Sequence, residues 1–351
     1  DSFSGLAKVT HHFGENNEQS VRLSYERWQS DADNTAYSQT GTLDAFGNID
    51  REITDQTVVL RYENPASGNP FLDLKVNLSF SDTQVAQTNA RAPAASRMRS
   101  PELFYDADYG YRTWQAKVEN TFEFKGDTWE NYLTAGTQVS YQERTASTKG
   151  GVGWIDFHPE GTDTKVGVFA QNEFIWNDRL TITPGMRLDY VTVRPDSVIP
   201  NASTQTDYAF SPKLAALYKF TDSFSVFGSV ARTERLPTLD ELFSTGARTS
   251  TYPGGRTVSL DLKKEESFNY EAGFAVNRQD LFQDNDSIAL KTTGFYNDLT
   301  NLITTGPQRQ ASAVPYYVNV HSAHIYGVEL EAAYDSRYVF ASAAYSWTRG
   351  K

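Results

Sequence analysis

The chain is predicted to be all-β, a transmembrane antiparallel β-barrel, and three observations carry that class. Apolar residues fall on every second position through about fourteen segments, several of them about ten residues or longer. Soluble sheets usually use strands of about five or six residues, whereas about nine to eleven tilted residues cross a hydrocarbon core of about 30 Å. Turns of a few residues alternate along the chain with long polar loops, as in a barrel whose two rims differ. Aromatic residues gather near the strand ends, where interfacial girdles belong. Closure into a barrel then satisfies every backbone amide without water.

Taken in order, His11 and His12 stand beside a short turn at Gly14 to Asn17, which places them on the inner rim. Tyr25 and Trp28 precede the first long loop, residues 29–51, and the chain turns tightly after Asn64. Leu72, Leu74, Val76, Leu78 and Phe80 then oppose Asp73, Lys75 and Asn77, a period of two that suits a pleated strand. Residues 83–108 form a second long loop, with an Ala-rich stretch whose one charge is Arg91, and Tyr105, Tyr109 and Tyr111 lead out of it as girdle candidates. Trp114, Ala116, Val118, Phe122 and Phe124 oppose Gln115, Lys117 and Glu119 before a turn after Lys125.

Residues 144–163 are the third long loop, and tight turns follow Trp176 and Phe220. Phe224, Val226, Gly228 and Val230 oppose Ser225, Phe227, Ser229 and Ala231, and the long loop 235–263 follows. Phe268, Tyr270, Ala272, Phe274 and Val276 alternate with Asn269, Glu271 and Gly273, while Tyr326, Val328, Leu330, Ala332 and Tyr334 alternate with Gly327, Glu329 and Glu331. A last turn follows Tyr334, with Tyr338, Tyr345 and Trp347 near the strand ends around it.

Composition is compatible with this class and excludes others. Mean hydropathy is −0.54 and 39% of residues are hydrophobic, values to which an oily exterior and a polar lumen average out. A net charge of −12 and a pI near 4.9 argue against nucleic acid as a partner. With no cysteine there is no disulfide frame and no thiolate chemistry. The charged residues assigned to interior faces, Lys75, Lys117, Glu119, Glu173, Arg187, Asp189, Lys213, Arg232, Glu271, Lys291, Glu329 and Glu331, are read as lumen-lining structural pairs. Carboxylate pairs at Asp240-Glu241 and Glu265-Glu266 have no matched nucleophile, base or oxyanion site, so no enzyme is expected. The acidic spots at Asp31 to Asn34 and Asp284 to Asp286 lack the glycine and distal glutamate of a calcium loop. The chain opens and closes in strand, so residues 1–351 are expected to be one barrel domain incomplete at both ends, with any export signal upstream.

Particular residues then carry a resemblance. RTERLPTLDELF, from Arg232 to Phe243, resembles the FRAP-type box of TonB-dependent outer-membrane receptors, with Arg235, Leu236, Pro237, Leu239, Glu241 and Leu242 at its centre. SLDLKKE, with Leu262, Lys263 and Glu265, sits where haem-uptake members of that family have NPNLKPE. YVNVHSAHIYGVELEAAY, VGVFAQNEF and ITPGMRLDY are similar to further family strands. The resemblance implies a 22-stranded barrel in the bacterial outer membrane, of which about fourteen strands are present, closed by a plug that is absent here and energised by the TonB complex.

It also implies an imported iron chelate: haem or haem from a haemoprotein first, and a ferric siderophore as the alternative. A passive porin and a soluble β-sandwich binding protein are the rivals outside the family. Haem-uptake members carry an axial histidine in the loop between the two boxes, and here no histidine lies between Pro237 and Asp261. Tyr252 has the side chain in that loop able to replace it, since a phenolate can ligate haem iron. Arg248 and Arg256 suit propionates or siderophore anions through bidentate contacts. His158, in a long external loop, and His321, placed on the lumen face by alternation with Val318 and Val320, complete the candidate ligand contacts, while His324 faces out. Haem is expected as cargo, with no resident cofactor or metal.

Overall fold

In a computed structural model, residues 1–36, 47–91, 106–149, 158–199, 201–246 and 252–351 are described. Their architecture is a 14-stranded antiparallel sheet in which every strand pairs with its neighbours in sequence. The strands are β1 (Ser2–Phe13), β2 (Gln19–Ala36), β3 (Asn48–Asn64), β4 (Leu74–Arg91), β5 (Asp106–Lys125), β6 (Trp129–Lys149), β7 (Gly161–Trp176), β8 (Leu180–Pro195), β9 (Gln205–Thr221), β10 (Phe224–Arg235), β12 (Glu265–Gln279), β13 (Ser287–Thr305), β15 (Tyr317–Asp335) and β16 (Phe340–Gly350). A short helix, α1 (Leu239–Phe243), and two two-residue strands, β11 (Arg256–Thr257) and β14 (Val314–Pro315), lie in the loops of one rim. No helix among the described residues is long and apolar enough to cross a membrane.

Register converts the sequence alternation into two faces. One row runs through directly paired residues Val9, Leu23, Leu60, Leu78, Ala116, Val139, Val166, Tyr190 and Tyr208. The row one residue away reads Arg22, Arg61, Asn77, Lys117, Gln138, Gly167 and Asp189. A single step along any strand thus changes an oily surface for a polar one, so register is tightly specified. On the polar face Arg187 forks onto Asp189 (Nε to Oδ2 2.7 Å, Nη2 to Oδ1 2.6 Å) and donates to Gln138 (3.3 Å). The pair lies over Gly167, where an added Cβ would sit 2.3 Å from Asp189 Oδ1.

Aromatic rings form two belts on the oily face. Phe80, Trp114 and Tyr141 follow one another at 5.3 and 5.7 Å, and Tyr190 meets Tyr208 at 5.1 Å. Nearer the short turns, Phe71 meets Phe124 at 5.6 Å, and Tyr218, Phe220, Phe224 and Phe274 follow at 4.8, 5.8 and 6.2 Å. On β5, Trp114 and Phe124 stand ten positions apart (124 minus 114), about 33 Å along a strand and about 23 Å of height at a 45° tilt, which matches the apolar band of an outer-membrane barrel. At 21 residues β6 is about twice the crossing length, so its far end stands beyond the bilayer.

Two expectations are corrected by parity and a third by burial. Tyr109, Tyr111 and Trp28 share the polar face rather than the girdle, because they are out of phase with Trp114 and Tyr25; Tyr105 lies outside the described residues. Arg232 shares the oily face with Val226 and Val230, where it stacks on Phe268 (5.9 Å) and pairs with Glu266 (3.0 Å) and Glu234. His158, expected to face a ligand, is 3% exposed.

Candidate functional site

All the long loops leave the same rim, and α1 folds back from it onto the polar face of β8. Thr238 caps the helix: its Oγ1 accepts from Glu241 N (3.4 Å), and Glu241 Oε2 accepts from Thr238 N (2.9 Å). Leu239, Leu242 and Phe243 are buried against Val191, Val193 and Ile199, with Leu236, Leu260 and Leu262 around them. Arg235 ties the helix to the wall, donating from Nη1 and Nη2 to Glu241 (2.8 and 2.9 Å) and from Nε to Glu265 (2.5 Å). Glu265 also accepts from Ile303 N (2.7 Å), and Lys263 N donates to Asn319 Oδ1 (2.8 Å). The box residues therefore build a rigid seat for the loop. Pro237, Leu236, Leu242, Leu262 and Lys263 line a cavity of about 410 Å³ beside it.

Beyond the seat, two loops join. β11 and β14 pair in parallel, Arg256 with Val314 and Thr257 with Pro315, and Tyr317 N donates to Ser259 Oγ (2.9 Å). Arg256 lies against two rings, with its guanidinium carbon 4.4 Å from the Tyr252 centroid and 3.5 Å from that of Tyr316. Its buried Nε meets no hydrogen-bond acceptor among the described residues. Tyr252 and Arg256, singled out separately in the sequence, are thus neighbours, whereas Arg248 lies outside the described residues. Tyr316 was not anticipated, and nothing in its spacing from Arg256 signals the stack.

His158 belongs to a different constellation. Its Nδ1 faces Arg144 Nη2 at 3.1 Å, its Nε2 faces Gly110 O at 3.4 Å, and the Tyr109 and Tyr111 rings pack on it at 4.9 and 5.0 Å. Burial, then the Arg144 charge, holds its pKa down to about 4. Arg144 also donates to Tyr111 OH (3.1 Å) and pairs with Asp240 of α1. These contacts consume both ring nitrogens, so His158 joins loop to wall and presents no edge to a ligand. His321 is exposed on the polar face of β15, whereas His324 on the opposite face meets Asp298 (3.0 Å) and Tyr296 OH (3.1 Å).

A sheet oily outside and polar inside, bounded by aromatic belts and carrying its long loops on one rim, defines an outer-membrane β-barrel. Residues 7–351 match the family model described as TonB dependent receptor-like, beta-barrel, and the chain belongs to that family. It is 26% identical over 336 residues to TonB-dependent heme receptor A of Haemophilus influenzae, covering 86% of this chain and 44% of the relative. It is 28% identical over 182 residues to the ferrienterobactin receptor of Escherichia coli, covering 50% of this chain and 22% of the relative. The Serratia marcescens hemophore receptor HasR, solved with its hemophore HasA and heme, superposes with a TM-score of 0.80 at 20% identity, covering 100% of this chain and 54% of that one. The chain therefore spans about half the length of the relatives it matches. These relatives are receptors and not enzymes.

Proposed function

We propose that this chain forms the wall and outer mouth of a receptor that imports haem, free or from a haemoprotein, using energy delivered through TonB to a plug outside these residues. The observation that carries the reading is the Tyr252–Arg256–Tyr316 stack at the outer mouth. It sets an iron-ligating phenol beside a guanidinium suited to a propionate. The haem receptor among the relatives, matched over 86% of this chain, supports the same choice. The test is an absorbance titration of the full receptor with haem. A saturable, shifted Soret band is expected, and Tyr252→Phe should weaken binding about tenfold or more. Unchanged affinity in the variant removes the phenol from the site, and an unshifted band removes haem. The second reading, a ferric siderophore, is favoured by the lack of histidine between Pro237 and Asp261 and by the ferrienterobactin receptor among the relatives.

A further inference from the structure

The Arg144 cluster lies apart from the Tyr252–Arg256–Tyr316 stack and reaches the helix of the Arg235 seat only through Asp240. It joins four elements at one guanidinium: Tyr111 on β5, Arg144 on β6, His158 at the foot of the β6–β7 connection, and Asp240 on α1. Arg144 is 5% exposed, His158 3%, and the adjoining Pro159 is fully buried. The foot is held further by Glu160, whose Oε1 accepts from Ala146 N at 3.0 Å. The hydrogen bonds require a neutral imidazole. An arginine is always charged and only donates, so His158 Nδ1 must accept from it, which leaves Nε2–H to donate to Gly110 O.

A second proton is disfavoured in this arrangement, burial and Arg144 outweighing the Thr145 carbonyl that lies within reach of the ring. It would put an N–H against an N–H at 3.1 Å and two positive charges side by side inside a water-excluded site. The other charged or titratable groups facing the pair are Asp163 and Lys165 on β7, Glu160 on the connection, Asp240 on α1, Tyr109 and Tyr111 on β5, and Arg51 beyond Tyr109. The carboxylates here favour the arginine that already occupies the centre. Relief therefore comes when the imidazole leaves.

We propose that His158 is an acid-released strap: protonation expels it from the Arg144 site, frees the foot of the β6–β7 connection and loosens the Arg144–Asp240 tie on α1. The strap is independent of which chelate the receptor takes. Arg235 and the buried leucines keep α1 seated, so opening is local to the strap.

The test is hydrogen–deuterium exchange of the full receptor at about pH 7.5 and about pH 4, with times scaled for intrinsic exchange. Residues 142–148 and 158–164 are expected to lose protection about tenfold in acid while the β3 and β4 ladder keeps its own. His158→Gln offers an oxygen to Arg144 and an N–H to Gly110 O without titrating, and should abolish the acid effect. Equal acid loss in the variant would assign the change to the carboxylates and overturn the proposal. Should the variant fail to assemble, histidine NMR of the unmodified receptor decides: a His158 ring that stays neutral well below about pH 4, or one that titrates without loss of protection, overturns it equally.

Discussion

Arg235 shows what the box residues do one at a time. Its three donors meet Glu241 and Glu265, and Glu265 keeps only 15% of its side chain exposed. Arg235→Ala would leave that carboxylate without its cation, and because the guanidinium itself is 42% exposed the cost is set at about 1–3 kcal/mol rather than that of a fully buried pair. Urea unfolding of the full receptor in vesicles should register this, with Arg235→Lys recovering only part because one ammonium cannot span both carboxylates. His158 makes the opposite demand. The unfolded histidine takes up its proton near 6.5 and the folded one only near 4, so the unfolded state binds more protons in that window and stability falls as pH falls through it. The loss is complete below about pH 4 and amounts to roughly 3 kcal/mol. His158→Gln should flatten that part of the stability–pH curve.

Among the elements, α1 is short but tied to its surroundings by side chains from several others, Arg235 and Arg144 among them. A five-residue helix cannot persist by propensity, so its seat must come from packing, and Phe243 at 0% exposure lies at the centre. Phe243→Ala should cost about 3–5 kcal/mol of local stability. Because the strand ladder does not depend on the helix, the effect is expected as faster exchange across 236–246 with the β3 and β4 ladder unchanged. The strands themselves were legible: alternation through residues 72–80, 114–124, 268–276 and 326–334 gave both the element and its face. The errors arose where phase was not carried along a strand, so that Tyr109 and Tyr111 were placed by nearness to a strand end although five and three positions from Trp114 put them on the other face. The cap at Thr238 and Glu241 bears a readable Thr-x-x-Glu signature. By contrast, Arg144–Asp240 and Arg256–Tyr316 join separate loops, and no local period encodes which loops meet. That is why the seat could be named from its box while the stack and the strap could not.

For the molecule as a whole, the claim with the widest consequence is that the oily face meets lipid and the polar face meets the lumen. β5 tests it within one strand. Val118 stands between the two belts on the oily face, 39% exposed, and Gln115 lies three residues away on the polar face. An arginine at the bilayer midplane costs about 2–4 kcal/mol, whereas one facing water costs little. In the full receptor, Val118→Arg should therefore lower unfolding stability in vesicles by about that amount, and Gln115→Arg by less than about 0.5 kcal/mol. In a soluble sandwich the burdens would differ, because an apolar face buried between two sheets would make Val118→Arg prevent folding in water as well as in lipid. Equal, small effects at both positions would deny the face assignment altogether. A large effect at Gln115 alone would mean that the register inverts between sequence and membrane, and every lumen assignment made from parity, His321 included, would invert with it.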